Sequence, residues 1–198
     1  MGVTGLILAG GQGRRMGGVD KGLQVLRGKP MIEWVIARLA PQVDEIIINA
    51  NQNMNEYARL SRRVIADTVK EARGGFAGPL AGFHAGLRAA SNELVVTCPC
   101  DSPFLAGDLV QRLREALERE TADLAVAKTG DQPHPVFSLC RRELLPHLTA
   151  FLEGGGRKID AWYASLKVIE VTFDDEARAF SNINTREELE AWTNVPNG

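Results

Sequence analysis

Short apolar runs and amphipathic stretches alternate through residue 121. Residues 5–9, "GLILA", form an apolar run that stops at glycines, the pattern of a short buried strand. Residues 31–40 place Ile32, Val35 and Leu39 on one helical face, and "DEIIINA" (44–50) reads as a strand covered on both sides. A helix is expected over 54–61 and a strand at "RVIAD" (63–67). Pro79 suits a helix start over 79–90, with Leu80, Phe83 and Leu87 on one face. "ELVVTC" (93–98) predicts the next strand. Leu109, Leu113 and Leu117 mark a helix over 105–120.

The regularity loosens after Ala122. Strands are expected at "DLAVAK" (123–128), "PVFSLC" (135–140) and "KVIEVTF" (167–173), and helices at 141–153 and 157–165. Thr185 and Glu188 have capping-box spacing and mark the start of a last helix.

Strand–helix alternation is the mark of an α/β fold with a mainly parallel central sheet and helices on both faces. The 198 residues suit one domain, at about 150 residues per domain. Ligands of such sheets sit beyond the carboxyl ends of the strands. The 10–18 loop, Asn49, Asp67 and Asp101 all fall at predicted strand ends, so four strands offer polar groups to one crevice.

Charge removes some classes of function. A net charge of −2 argues against a general nucleic-acid binder. The three cysteines, Cys98, Cys100 and Cys140, give no disulfide framework and fit a reducing compartment. Cys98-Pro99-Cys100 has no second cluster to complete a structural zinc site, so small buried side chains are expected there. No basic stretch precedes Leu6-Ile7-Leu8, and no segment has the length of a membrane span. A cytoplasmic protein without a membrane partner is expected.

The stretch "LILAGGQGRRMGGVDK" (6–21) carries the chemistry. A P-loop needs Lys and Ser or Thr after its last glycine; Gly13 and Gly18 have the spacing, but Val19 and Asp20 follow. The dinucleotide fingerprint begins at Gly11-Gln12-Gly13, but its third glycine comes one place late, at Gly17. The second long strand also ends in Asn49, not an acid. The loop still has the means to hold phosphate. Glycines bring backbone N–H groups close to anionic oxygens, and Arg14, Arg15 and Lys21 add three cations. A solvated basic turn is the alternative reading of the same residues.

"LAGGQGRRMGGVDK" closely resembles the L-A-G-G-x-x-x-R-M-G-G-x-D-K signature of the molybdenum cofactor guanylyltransferases. The likeness extends through "NAN" (49–51), Asp67, "GPLAG" (78–82), "CPCDSPF" (98–104), "HP" (134–135) and "NINT" (182–185), and so covers nearly the whole chain. The first loop is shared more widely among nucleotidyltransferases, whereas "GPLAG" with "CPCD" narrows the resemblance to the guanylyl branch. That family often has proline after the last threonine; Arg186 stands here.

The resemblance implies a Rossmann-like nucleotidyltransferase fold spanning residues 1–198. Residues 1–121 would mainly bind GTP, and 122–198 would mainly form the molybdopterin side. The implied reaction transfers GMP from GTP to molybdenum-molybdopterin, with Mg²⁺ as metal and pyrophosphate as by-product. Other cofactor-biosynthesis proteins or molybdoenzyme acceptors would be the partners.

A phosphate monoester, with a second pKa near ~6, is already largely dianionic at neutral pH. It needs no general base, so the enzyme must align two anions and neutralise their charge. Lys21, Arg15 and Asp101 are the expected catalytic residues. Asp101, beyond a buried strand and the Pro99 turn, is the expected Mg²⁺ ligand; capping the turn before Pro103 is its alternative role. The resemblance carries GTP contacts to Leu8, Ala9, Gly10, Lys21, Asn49, Asp67, Gly78, Pro79, Leu80 and Asp101. His134, Arg157, Lys158, Asn182 and Asn184 are the candidates on the molybdopterin side. His84 and His147 fall within predicted helices and receive no functional role.

A molybdopterin cytidylyltransferase or a sugar-phosphate nucleotidylyltransferase could use the same opening loop. A nucleotide-binding regulatory module would keep the glycines but need neither Lys21 nor Asp101.

Overall fold

The first strand, β1 (Val3–Leu8), is buried on both sides because its alternate residues enter two different cores. Val3 and Ile7 face one, and Leu6 faces the other. The computed structural model describes residues 2–10, 20–60, 63–68, 78–183 and 185–193, with backbone alone at Arg186 and Thr193.

A short hairpin follows, β2 (Val25–Leu26) and β3 (Lys29–Pro30), and then α1 (Met31–Leu39), β4 (Glu45–Asn49), α2 (Met54–Ala58), β5 (Arg63–Ile65) and α3 (Pro79–Ala89). Next come β6 (Leu94–Pro99), α4 (Leu109–Arg119), β7 (Leu124–Thr129) and β8 (Gln132–Arg141). The chain closes with α5 (Leu145–Glu153), α6 (Ile159–Tyr163), β9 (Val168–Thr172) and α7 (Arg186–Thr193).

Seven strands form one sheet in the order β5-β4-β1-β6-β8-β7-β9. The β5-β4-β1-β6 half is parallel, β8 runs antiparallel to both its neighbours, and β9 is parallel to β7. α1, α2 and α4 pack on one face through Ile32, Val35, Leu39, Tyr57, Leu113 and Leu117. α3, α5 and α6 pack on the other through Leu80, Phe83, Leu87, Leu148 and Trp162. The expected α/β architecture, with a mainly parallel sheet and helices on both faces, is what the chain adopts.

Most predicted elements agree to within a few residues. The helix expected from 105 starts at Leu109, because Gly107 and Asp108 form a turn just before it. Its Val110 N–H is capped at 3.0 Å by the Gln42 side-chain oxygen from across the fold. The capping box at Thr185 forms as expected: the Thr185 N–H donates to Glu188 Oε2 and the Glu188 N–H to Thr185 Oγ1, each at 3.1 Å. The β2–β3 hairpin was not anticipated. Its turn residues Arg27 and Gly28 both have positive φ, 50° and 81°, as a tight two-residue hairpin turn requires. Two-residue strands leave no periodicity to read.

A third cluster, Leu26, Met31 and Ile183 with Phe104, Leu189 and Trp192 packed against it, binds the C-terminal segment beside the hairpin. This matters for the site, because the segment arrives just beyond the end of β6.

Candidate active site

The register fixes the site's floor. Leu8, the last residue of β1, pairs with Asn49 on one side and Pro99 on the other. Just past it the Ala9 N–H donates to the Asn49 carbonyl at 2.8 Å, and the Cys100 N–H donates to the Leu8 carbonyl at 3.2 Å. The carboxyl ends of β4, β1 and β6 therefore lie side by side, over about 10 Å at normal strand spacing.

Two polar clusters flank the end of β1. On the β6 side, Lys21 Nζ lies 3.0 Å from Asp101 Oδ2. Asp101 is only 7% exposed, so its carboxylate is largely removed from water, while the Lys21 side chain keeps partial access to solvent. Among the described residues no donor reaches its second oxygen, Oδ1. Next to it the Ser102 hydroxyl donates to Asn182 Oδ1 at 2.6 Å, and the Ile183 N–H donates to the Asp101 carbonyl at 3.0 Å. The C-terminal segment is thus fastened to the residues that follow β6.

On the β4 side, Asn49 Nδ2 donates to Asp67 Oδ1 and Asn51 Nδ2 to Asp67 Oδ2, both at 2.8 Å. Asn51 Oδ1 in turn accepts from the Asp67 N–H at 2.9 Å, so its amide grips Asp67 at two points. Asn49 is 2% exposed and wedged between two glycines. A Cβ on Gly82 would lie 2.3 Å from Asn49 Oδ1, and one on Gly10 would lie 3.1 Å from Asn51 Nδ2. Only glycine at 82 leaves Asn49 its place.

The remaining predicted residues are distributed around these clusters. Gly78, with φ of +60°, precedes α3; Pro79 is exposed and opens the helix, whereas the Leu80 side chain is buried in the core. Leu8, Ala9 and Gly10 continue β1 toward the crevice. Arg15, Arg14 and the rest of 11–19 lie outside the described residues, as does Asn184.

His134 lies within β8, which begins two residues before it and so starts earlier than the strand expected at 135–140. Its ring stacks on Phe180 at 4.9 Å, Nε2 sits 2.8 Å from Thr129 Oγ1, and burial lowers its pKa. Because β8 is antiparallel to β6, this end of β8 lies along the same sheet edge as Asp101. Arg157 donates to the Leu152 and Gly156 carbonyls, at 2.7 and 2.5 Å, and Lys158 beside it is exposed. The Arg157 carbonyl lies 3.9 Å from the Cβ position of Gly78, so the 153–158 loop borders the start of α3.

The three cysteines are buried thiols. Burial pushes Cys98 up to about 12 and Cys100 well above its ordinary value. His84 bridges Thr68 and Thr149, and His147 Nδ1 accepts from the Trp162 indole at 3.1 Å.

Tyr57, Asn53 and Asp20 carry no expected role in the sequence. Tyr57 donates to Asp20 Oδ1 at 2.5 Å, and Asn53 Nδ2 donates to Asp20 Oδ2 at 3.1 Å. Asp20 immediately precedes Lys21. An aromatic residue in a predicted helix reads as core, and only the fold shows which acid its hydroxyl meets.

The model for the MobA-like NTP transferase domain matches residues 5–168, which include both clusters. The chain belongs to this family. A protein of Cupriavidus metallidurans named molybdenum cofactor guanylyltransferase is 52% identical over 192 residues, covering 94% of this chain and 92% of that one. One of the same name from Shewanella amazonensis is 50% identical over 188 residues, covering 95% and 94%. The crystal structure of a molybdopterin-guanine dinucleotide biosynthesis protein A from Archaeoglobus fulgidus superposes with a TM-score of 0.78 at 28% identity. It covers 96% of each chain. The match to the family model stops at 168, so the Asn182–Ile183 segment at Asp101 lies beyond it.

Proposed function

We propose that this protein transfers GMP from GTP to molybdenum-molybdopterin, releasing pyrophosphate. The observation that carries the reading is the Lys21–Asp101 pair beyond the end of β6, with only β1 between it and the strand that bears the Asn49–Asp67 cluster. Full-length relatives at about half identity with the name of that activity support it.

In this reading the whole chain acts as one nucleotidyltransferase domain. Residues 1–121 mainly hold GTP and 122–198 mainly form the molybdopterin side. Asn49 and Asp67 face the nucleoside, with Asp67 accepting from a guanine N–H or a ribose hydroxyl. Gly78, Pro79 and Leu80 would contribute through backbone groups, since Leu80 has its side chain in the core. Leu8, Ala9 and Gly10 line the nucleotide along the β1 end. Lys21 and Arg15 neutralise phosphate charge as pyrophosphate departs. His134, Arg157, Lys158, Asn182 and Asn184 form the side on which the pterin phosphate arrives. The dianionic phosphate attacks the α-phosphorus directly, and the protein's task is alignment and charge neutralisation.

The residues present suit Mg²⁺. A single, nearly buried carboxylate fits an ion that takes one or two carboxylates and completes its shell with phosphate oxygens and water. Among the described residues no group of three His, Cys, Asp or Glu side chains is poised to hold a metal by itself. Asp101 would hold the ion, which when bound would polarise the α-phosphoryl group. Other cofactor-biosynthesis proteins or molybdoenzyme acceptors would take the product, and the reaction belongs in the cytoplasm.

Titration calorimetry with GTP, CTP, UTP and ATP in Mg²⁺ tests the nucleotide assignment. GTP should bind more tightly than the other three. Preference for CTP would move the protein to the cytidylyl branch and overturn the reading.

A further inference from the structure

Tyr57 stands fully buried on α2, yet its hydroxyl turns toward Asp20, the residue before Lys21. It donates at 2.5 Å to Asp20 Oδ1, while Asn53 takes Oδ2 at 3.1 Å. Asn53 adopts the left-handed conformation, φ 52°, which asparagine tolerates better than most residues. Both carboxylate oxygens of Asp20 are thereby held from one short segment.

The packing around the phenol is tight. A Cβ on Gly22 would lie 2.7 Å from Tyr57 Oη and 3.1 Å from Cys100 Cβ. Lys21 lies between the two anchored neighbours, Asp20 and Gly22. Its backbone is therefore set by Tyr57 on one side and the β6 end on the other, and its ammonium reaches Asp101. Burial pushes the Tyr57 phenol far above its usual range, so it remains a donor at any working pH.

We propose that Tyr57, acting through Asp20, is a positioning residue that fixes where Lys21 delivers its charge to the phosphates. The same stretch of chain, Asn49 to Tyr57, grips Asp67 through Asn49 and Asn51 and grips Asp20 through Asn53 and Tyr57. Lysine placement is thus built on the segment that forms the nucleoside side of the crevice. This inference rests on the guanylyl-transfer reading.

The test is a double-mutant cycle with GTP and molybdenum-molybdopterin. Tyr57→Phe removes one hydrogen bond to a carboxylate and keeps the ring. It should lower kcat about tenfold, the worth of such a bond, with KM for GTP little changed. In a Lys21→Ala background the same change should cost almost nothing further, because the group it positions is gone. A purely structural tyrosine would lower the melting temperature and leave kcat unchanged well below it. Unaltered kcat in Tyr57→Phe, or equal losses in both backgrounds, would overturn the proposal. Asp20→Asn repeats the comparison from the acceptor side and decides it if Tyr57→Phe does not fold. Wild-type protein in the same assay separates the two readings, since its failure to transfer GMP would refute the function rather than the positioning role of Tyr57.

Discussion

Lys21 and Asp101 are 80 positions apart in sequence, and their side chains meet at 3.0 Å, the carboxylate largely buried and the ammonium partly open to solvent. One precedes the short β2–β3 hairpin and the other follows β6. The pair unites the two groups most suited to phosphate chemistry: a cation for the departing charge and a carboxylate for a metal.

Removing either partner should damage catalysis more than folding. Asp101→Ala should lower kcat by at least the roughly 10²–10³-fold typical of losing one preorganised electrostatic contact. Lys21→Ala should lower kcat, and kcat/KM with it. Steady-state kinetics at saturating Mg²⁺ check both, and Asp101→Ala activity within a few-fold of wild type would remove Asp101 from the metal site.

Asn51 does not appear among the residues expected from the sequence, yet it clamps Asp67 by two hydrogen bonds. Asn51→Ala should weaken GTP binding about tenfold by freeing a carboxylate that must point at its ligand. Asp67→Asn should also weaken GTP binding, and more than pterin binding. Calorimetric titration of each ligand measures the difference; equal losses for the two ligands would contradict the assignment of Asp67 to the nucleoside.

Gly82→Ala adds one methyl at a place where its Cβ would lie 2.3 Å from Asn49 Oδ1 and 2.9 Å from Leu8 Cδ2. Asn49 must move, which breaks its bond to Asp67. GTP affinity should fall by about an order of magnitude with that bond, and folding stability by the roughly 1–3 kcal/mol typical of overpacking. A binding isotherm on the folded variant reads this directly.

Stability should fall on mild acidification. His84 is 7% exposed, and burial is the main cause of its lowered pKa. The Thr149 hydroxyl donates to the Leu145 carbonyl, so it accepts from His84 Nε2–H, and Nδ1 faces Thr68 as an acceptor. The unfolded chain protonates near the ordinary value of 6.5, whereas the folded imidazole resists the proton. The stability contributed by neutral His84 is complete above that value and is lost as pH falls through it toward the folded pKa. His134, also lowered by burial, acts in the same direction. Denaturant melts at pH 7.5 and 5.5 should show a smaller loss for His84→Gln than for wild type.

The sheet and its helices were legible because alternation and helical periodicity are local signals. "GLILA" and "DEIIINA" announce buried strands by composition alone, and Leu109, Leu113 and Leu117 mark one buried helix face. Strand ends also gave Asn49, Asp67 and Asp101, since topology puts parallel strand ends on one edge. Contacts between elements were not legible. That Tyr57 bonds Asp20, that Asn51 supports Asp67, and that Ser102 meets Asn182 depend on how loops fold back across the sheet edge. His134 falls just before the strand expected at 135–140, because the proline that follows it hides the start of β8. The register between β7 and β8 shifts between Val126 and Lys128, and the strand accommodates His134 and Pro135 there.

The central claim is the transfer itself. Purified protein should be incubated with α-labelled GTP, Mg²⁺ and molybdenum-molybdopterin, and the products separated by chromatography. The account predicts label in a guanine dinucleotide and one pyrophosphate released per transfer, both lost in Asp101→Ala. Label remaining in GTP with wild-type protein, or incorporation from CTP in preference to GTP, would contradict it.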